Sequence, residues 1–421
     1  MSPDDVRALL ADCFSVAVKA ADPASAVRQA LKRHQERVAK ARRVLIVALG
    51  KAACAMAEAA ANELGEKATA GIVVTTQESA RPVADFQVIA GGHPVPDAGS
   101  LSGGEAILSL ARTAAETDLV LALISGGGSA LAVAPKPGLT LALKQQITEA
   151  LLRSGADITE INAVRRRLSL LKGGGLLRAA APASVLALIV SDVPGDDPTI
   201  IASGPTAPMR PGQPVEAVLR AANLDHGLPA TVTELLLAAP DSFGLCHVHN
   251  EIIASNAASV SAVGRFLASK GIVAVCYQHW LDGDVQAAAE AILRMMKLTT
   301  DQQGLTAIIC GGETTVRVTG GGTGGRNQEL ALRLAQTEAA SPLGRPWTFL
   351  SAGTDGRDGP TQAAGGFADS DTMNRLMHHG LKLKEILANN DSYTALRATG
   401  DAFITGPTGT NVADIQIALV G

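Results

Sequence analysis

Apolar positions along this chain alternate between two textures. Short runs dominated by valine, isoleucine, leucine and alanine at 44–49, 71–76, 86–90, 119–124 and 185–190 are separated by alanine-rich stretches whose apolar residues recur at helical spacing. Runs of this kind predict strands buried on both faces, and the helices between them predict parallel crossovers. The first half therefore reads as a doubly wound, Rossmann-like parallel sheet. Two helices, at 3–20 and 24–41, precede the first strand. A second series of strands, at 252–255, 272–277, 306–310, 348–352 and 415–420, alternates with helices at 257–268, 285–296 and 327–335. The prediction is an α/β protein of two α/β domains, 1–240 and 241–421, divided where prolines replace strands. Paired α/β domains collect ligands at the carboxyl ends of their strands, which places the expected site in an interdomain cleft.

Composition narrows the class of chemistry. The chain has 421 residues, 47% of them hydrophobic, which excludes general disorder. Its 43 glycines exceed the usual share of ~7% and lack a three-residue period, which excludes collagen. About half of them fall in loops at predicted strand ends. Lys plus Arg (36) against Asp plus Glu (40) leaves a net charge of -4, with no electrostatic footprint for nucleic acid. Five cysteines, an odd number set mostly in apolar runs, point to a reducing compartment. No apolar run approaches the ~18 to 20 residues that span a membrane, and Asp4 and Asp5 open the chain where a secretory leader would be basic. The expected setting is the cytoplasm.

The strand-end loops carry the candidate chemistry. At Gly50-Lys51 a buried strand turns through glycine toward a helix, where a cation opposes the helix dipole unless an anion binds there. Ser125-Gly126-Gly127-Gly128-Ser129 follows another buried strand and suits backbone-amide binding of phosphate, although no Walker lysine closes it. His93, in Gly91-Gly92-His93-Pro94, reads equally as a structural hydrogen-bonding group or as an anion-binding or proton-exchanging one. Asp192, with Asp196 and Asp197, ends the most apolar strand and suits a hard cation or acceptance of a proton. In the second half Gly311-Gly312-Glu313 ends a strand, and the segment 320–325 contains G-x-G-x-x-G before Arg326 and Asn327. That segment lacks the acidic residue ~20 positions on that a dinucleotide fold requires, so it reads as a phosphate loop rather than a nicotinamide fingerprint. Thr354-Asp355-Gly356 and the polar run 405–411, with Thr408 and Asn411, add donors and acceptors. Arg165-Arg166-Arg167 reads as a solvated helix face, Asp284 as a helix cap, and Cys246-His247-Val248-His249 as structural for want of a second pair of metal ligands.

Taken in order, Gly50-Lys51-Ala52-Ala53, Gly91-Gly92-His93-Pro94, the glycine loop at 125–129, the block 162–206 with Lys172-Gly173-Gly174 and Ser191-Asp192-Val193, Gly311-Gly312-Glu313-Thr314, Gly325-Arg326-Asn327-Gln328-Glu329, Thr354-Asp355-Gly356 and the run 405–411 closely resemble the bacterial type II glycerate kinases with a C-terminal MOFRL domain. The likeness spans nearly the whole chain. It implies ATP-dependent phosphorylation of D-glycerate at its 2-hydroxyl, with Mg2+, in a cleft between the domains. Members often carry the name hydroxypyruvate reductase, so an NAD(P)H-dependent reductase is the alternative reading and a small-acid sensor a third. Lys51, Arg326 and Asp192 match the family's active-site motifs. The roles expected on that footing are charge neutralisation or carboxylate grip for Lys51 and Arg326, and orientation of the hydroxyl or base chemistry for Asp192. His93, Ser125, Gly126, Gly127, Gly128, Ser129, Glu313, Asn327, Asp355, Thr408 and Asn411 are expected to bind substrate or nucleotide, and Asp192, Glu313 and Asp355 to hold the metal. The expected partners are glycerate and nucleotide, with self-association allowed and neither nucleic acid nor membrane involved.

Overall fold

The computed structural model describes residues 1–155, 158–207, 215–224, 227–238, 247–299 and 304–421. Its contacts define two compact units, Pro23–Ile253 and the combination of Met1–Asp22 with Ala254–Gly421. The boundary expected at 240/241 falls outside the described residues. Among the described residues, no helix is long and apolar enough to cross a membrane.

The unit Pro23–Ile253 is built on the apolar runs. Its strands are β1 (Val44–Leu49), β2 (Ala68–Thr75), β3 (Gln87–Ala90), β4 (Leu119–Ile124), β5 (Ser184–Ser191) and β6 (Val248–Ser255), the last two residues of β6 belonging to the other unit. They form one sheet in the order β3-β2-β1-β4-β5-β6, with β1 to β5 mutually parallel. Every residue of β1 and of β4 is buried, as uninterrupted apolar runs require when helices cover both faces. The order reverses direction between β1 and β4, the switch point at which open α/β sheets bind ligands. Leu49 lies level with Ile124, so the loops after β1 and β4 leave the sheet side by side. The helix expected over 24–41 is broken at His34 into Pro23–Arg33 and Gln35–Lys40. Between β4 and β5, and between β5 and β6, helices replace strands. Leu141–Arg153, Ile158–Arg167, Val215–Ala221 and Ala230–Leu237 bury Ile147, Leu151, Val164, Val218, Val232 and Leu236 in a small core of their own.

The other unit has a mixed sheet in place of the parallel one. Its strands are β7 (Val273–Cys276), β8 (Leu281–Asp284), β9 (Thr306–Thr315), β10 (Trp347–Gly353), β11 (Gly365–Asp369), β12 (Ala402–Phe403) and β13 (Asp414–Val420). They run in the order β12-β11-β10-β13-β9-β7, with β8 also on β9. β13 is antiparallel to both β10 and β9, while β7 and β8 are parallel to β9. The helix Pro3–Ala20 covers one face, burying Leu9, Leu10, Cys13 and Phe14 with Ile309, Leu350, Ile415 and Ile417. The helices Val285–Leu298 and Arg326–Ala340 cover the opposite face. Asp284 caps Val285–Leu298 through Gln286 N and Ala287 N, as the sequence suggests.

Arg7 anchors the N-terminal helix within an ionic lattice. Its Nη2 lies 2.7 Å from Asp369 and 2.5 Å from Asp401, and Arg375 bonds the same two carboxylates. Asp401 is fully buried, so removal of one guanidinium leaves part of its charge uncompensated. Arg7→Met is expected to destabilise this unit by about 2 kcal/mol, within the range for a hydrogen bond to a charged group. A lowered urea midpoint for its transition is the readout.

Candidate active site

The tips of β1 and β4 are sewn together. Lys51 N donates to Gly126 O at 2.9 Å, Ser125 N to Leu49 O at 3.0 Å, and Ala52 N to Ser125 Oγ at 3.1 Å. Gly50 makes this approach possible. Its φ is +120°, and a Cβ there would stand 2.2 Å from Ser125 Oγ and 2.5 Å from Ser125 O. The glycine loop is also crowded on its outer side. A Cβ on Gly126 would lie 2.0 Å from Asp192 Oδ2, and one on Gly127 3.2 Å from His93 Nε2. The loops after β1, β3, β4 and β5 thus converge on one place, bringing together Lys51, His93, residues 125–129 and Asp192.

Their electrostatics interlock. Burial pushes the Asp192 carboxyl above the usual range, and the Lys51 charge partly offsets that shift. Burial, reinforced by the Lys51 charge, lowers the pKa of His93, with Glu78 opposing, so the imidazole is neutral at physiological pH. The amides of Gly126 and Gly127 donate to nothing among the described residues, which leaves two N–H groups beside Asp192 for an incoming anion. Ser129 has a different place from the one expected. Its carbonyl and Oγ accept from Lys172 Nζ at 2.6 and 2.8 Å, and its Oγ lies 2.9 Å from Ser203 Oγ.

In the mixed-sheet unit the central group is Arg326, at the start of its helix. Its Nε and Nη2 clamp Asp414 at 2.6 and 2.9 Å, and its Nη1 lies 2.8 Å from Glu313. Asp414 is fully buried, whereas the Glu313 side chain is about half exposed, so one partner is fixed and the other exchangeable. Hydrogen bonds from Arg326 to Asp414 raise its pKa further, despite burial. Asp358 accepts from Asn327 N, Gln328 N and both of those side chains, closing the helix start. Burial and neighbouring Asp414 push its carboxyl up to about 6. Asn327 accepts from Ser351 Oγ at 2.6 Å and is an internal strut in this arrangement. Thr408 N donates to Asp355 O at 3.3 Å and Thr408 Oγ1 to Thr354 O, while Asn411 Oδ1 accepts from Ala413 N at 3.2 Å. Thr408 and Asp355 are therefore brought together, and Asn411 closes a local turn.

The sequence and the fold recur in known proteins. Residues 9–237 match the domain of unknown function DUF4147, and residues 306–414 match the MOFRL family. The D-glycerate 2-kinase of Thermotoga maritima is 39% identical, over 99% of each chain. The chain belongs to the glycerate kinase family. A crystal structure of glycerate kinase from Thermotoga maritima superposes with a TM-score of 0.90 at 38% identity, covering 100% of both chains. An Agrobacterium vitis protein named putative hydroxypyruvate reductase is 37% identical over 99% of this chain and 94% of its own, so both names occur among the relatives.

Within this glycerate kinase fold, two sequence expectations need correction. The first four residues of the glycine loop, 320–323, do not offer their amides to phosphate. Thr319 N and Gly320 N donate to Asn390 Oδ1, Gly321 N to Asn389 Oδ1, Gly322 N to Asn389 O and Thr323 N to Asp391 Oδ1. The Asn389-Asn390-Asp391 turn supplies the acceptors, and the glycines permit close approach: a Cβ on Gly320 would stand 2.4 Å from Asn389 backbone. Nor are Arg165, Arg166 and Arg167 a solvated face. Arg167 Nη1 holds the carbonyls of Leu236 and Ala238, Arg166 Nη2 holds Thr199 O, and burial depresses the pKa of both Arg165 and Arg166. Lys172 is the functional-site neighbour that residue-type reasoning missed, because a lysine after a leucine pair gives no sign of being only 1% exposed.

Of the expected metal carboxylates, Asp192 belongs to one unit, Glu313 and Asp355 to the other. Glu313 is paired with Arg326, and Asp355 Oδ1 accepts from Arg357 N at 3.0 Å. His249 is joined by one metal-capable group two residues on and by another distant in sequence. With His34 and Glu251 it forms the one three-group cluster of that kind among the described residues, although Arg33 already pairs with Glu251. Cys246 lies outside the described residues.

The two glycines of the sewn tips are expected to fail differently. In Gly126→Ala the added methyl displaces only the end of the Asp192 side chain, so the fold persists by circular dichroism while turnover falls ~100-fold, the order expected for a catalytic group misplaced by an ångström. In Gly50→Ala the methyl meets Ser125 backbone at positive φ, so thermal stability itself falls.

Proposed function

We propose that this glycerate kinase transfers the γ-phosphoryl group of ATP to the 2-hydroxyl of D-glycerate, and that Lys51 and Arg326 serve the same transfer. The observation that carries the reading is the convergence of Lys51, Asp192 and two unpartnered amides at the sheet's switch point. Phosphoryl transfer asks for positioning and charge neutralisation rather than covalent chemistry, and these groups supply both. The glycerate 2-oxygen forms a bond to the γ-phosphorus as the bond to the ADP oxygen breaks. The hydroxyl proton passes to Asp192, whose raised pKa suits it to receive that proton. Lys51 and the amides of Gly126 and Gly127 take up charge on the phosphoryl oxygens. Arg326, oriented by Asp414, exchanges exposed Glu313 for the substrate carboxylate or phosphate.

The residues fit Mg2+ to a limited extent. The raised pKa of Asp192 marks a carboxylate that a hard cation would stabilise in its charged form, and bound Mg2+ would neutralise phosphate charge. A reductase reading loses support, since four of the six G-x-G-x-x-G amides, those of residues 320–323, are already bonded to residues 389–391. Cys13, Cys54, Cys276 and Cys310 are free thiols, which supports placement in the cytoplasm.

A coupled assay is expected to yield ADP only when glycerate accompanies ATP, and to show no NADH consumption with hydroxypyruvate. Lys51→Ala and Arg326→Ala should each lower kcat by ~100-fold or more, the scale seen when one transition-state donor is removed. Near-normal turnover in both would remove the assignment. The Asp192 base must be ionised, and burial raises its pKa, so activity should fall as pH drops through a midpoint above the ordinary ~3.9 of aspartate. Asp192→Asn should abolish that acid limb along with most of the rate.

A further inference from the structure

Behind the glycine loop lies a concentration of positive charge that the proposed chemistry has not used. Lys172 is 1% exposed, and among the described residues its ammonium donates only to Ser129, to the carbonyl and hydroxyl oxygens. Ser129 Oγ is linked to Ser203 Oγ, which donates to Asn162 Oδ1 at 2.8 Å, on the same helix as Arg165 and Arg166. Ser203 and its neighbour Ala202 sit at φ of +61° and +50°, conformations that non-glycine residues hold only where the surroundings impose them. Lys144, on the helix Leu141–Arg153, is 4% exposed and its ammonium has no bonding partner among the described residues. The Arg165 guanidinium makes no hydrogen bond or ion pair among the described residues either. Arg166 donates to Thr199 O, while its Nε is buried without a partner.

These cations act on one another. Burial, reinforced by the charges of Lys144, Arg165 and Arg166, holds Lys172 well below its ordinary pKa, and burial with Arg165 lowers Lys144 to about 8. Asp197, near Arg166, is the carboxylate whose charge opposes this. A buried lysine escapes such a position by losing its proton, but arginine cannot. Two guanidinium groups, partly exposed, therefore keep their charge in a desolvated place where, among the described residues, neither is ion-paired to a carboxylate and Asp197 is the one acidic neighbour acting on Arg166. An anion resolves that imbalance. Forked N–H donors suit phosphate oxygens, and a site with several cations favours a polyanion over a singly charged acid.

We propose that Lys144, Arg165 and Arg166 seat the phosphate chain of the nucleotide, with Lys172 as a positioning residue that ties this seat to the glycine loop through Ser129. The proposal rests on the kinase reading for the identity of the polyanion, but the seat itself is tested without turnover. Inorganic tripolyphosphate is titrated calorimetrically into the full-length protein and into Arg165→Gln, Arg166→Gln and Lys144→Met, with D-glycerate titrated in parallel. The expected result is tripolyphosphate affinity at least tenfold weaker in Arg165→Gln and several-fold weaker in the other two, with glycerate affinity changed less than twofold. Arg165→Lys should recover part of the loss. Thermal unfolding without ligand separates this from damage to the fold: Lys144→Met removes a like charge, so its Tm should equal or exceed the parent's, and added tripolyphosphate should raise the parent's Tm more. Equal tripolyphosphate binding by parent and variants, no binding by the parent, or a lowered ligand-free Tm in Lys144→Met would overturn the seat. If the parent makes ADP with glycerate while the variants bind tripolyphosphate as it does, the seat alone falls. If the variants lose tripolyphosphate while the parent makes no ADP with glycerate, the seat stands and the kinase reading falls.

Discussion

The parallel-sheet unit depends on how closely two strand tips approach. β1 and β4 end level, and the contact between Gly50 and Ser125 allows no side chain between them. Everything proposed for that unit follows from this. The backbone of Lys51 is fixed against Gly126, the glycine loop is held open toward Asp192, and His93 closes over Gly127. Glycine is here a condition of proximity. Conformational mobility has little part in it, because the segments on either side are bonded into place.

The two units handle charge in opposite ways. Around Arg326 a buried aspartate fixes the guanidinium from one side, and an exposed glutamate occupies the side open to exchange. Around Lys172, among the described residues, burial and neighbouring cations both oppose its charge. The first arrangement is complete without a ligand and orients a group. The second is electrostatically costly without one, so ligand binding there also relieves repulsion.

Five strands of the first sheet were legible because full burial on both faces demands uninterrupted apolar runs, and 44–49 and 119–124 match β1 and β4 residue for residue, whereas β6, read as the opening strand of the second series, pairs into the first sheet. The second sheet was less so. β8, β11 and β12 read Leu-Asp-Gly-Asp, Gly-Gly-Phe-Ala-Asp and Ala-Phe, and such short glycine- or aspartate-bearing segments look like turns until neighbouring strands pair with them. The grouping of loops was legible where the partner was a strand end close in space, as for the loops that carry Lys51 and Asp192. Loop chemistry was misread where the decisive partner lay far along the chain. The acceptors for the amides near 320 come from 389–391, and three consecutive arginines carry no mark of the carbonyls and neighbouring helices that desolvate them.

The helix Pro3–Ala20 completes a unit whose other elements begin at residue 254. During synthesis its apolar face, with Leu9, Leu10 and Phe14, emerges long before Ile415 and Ile417, the strand residues that help cover it. At ~5 to 20 residues per second, the intervening roughly 400 residues take on the order of 20 to 80 s to make. For that interval the residues 23–253 can fold on the ribosome while an oily amphipathic helix waits uncovered.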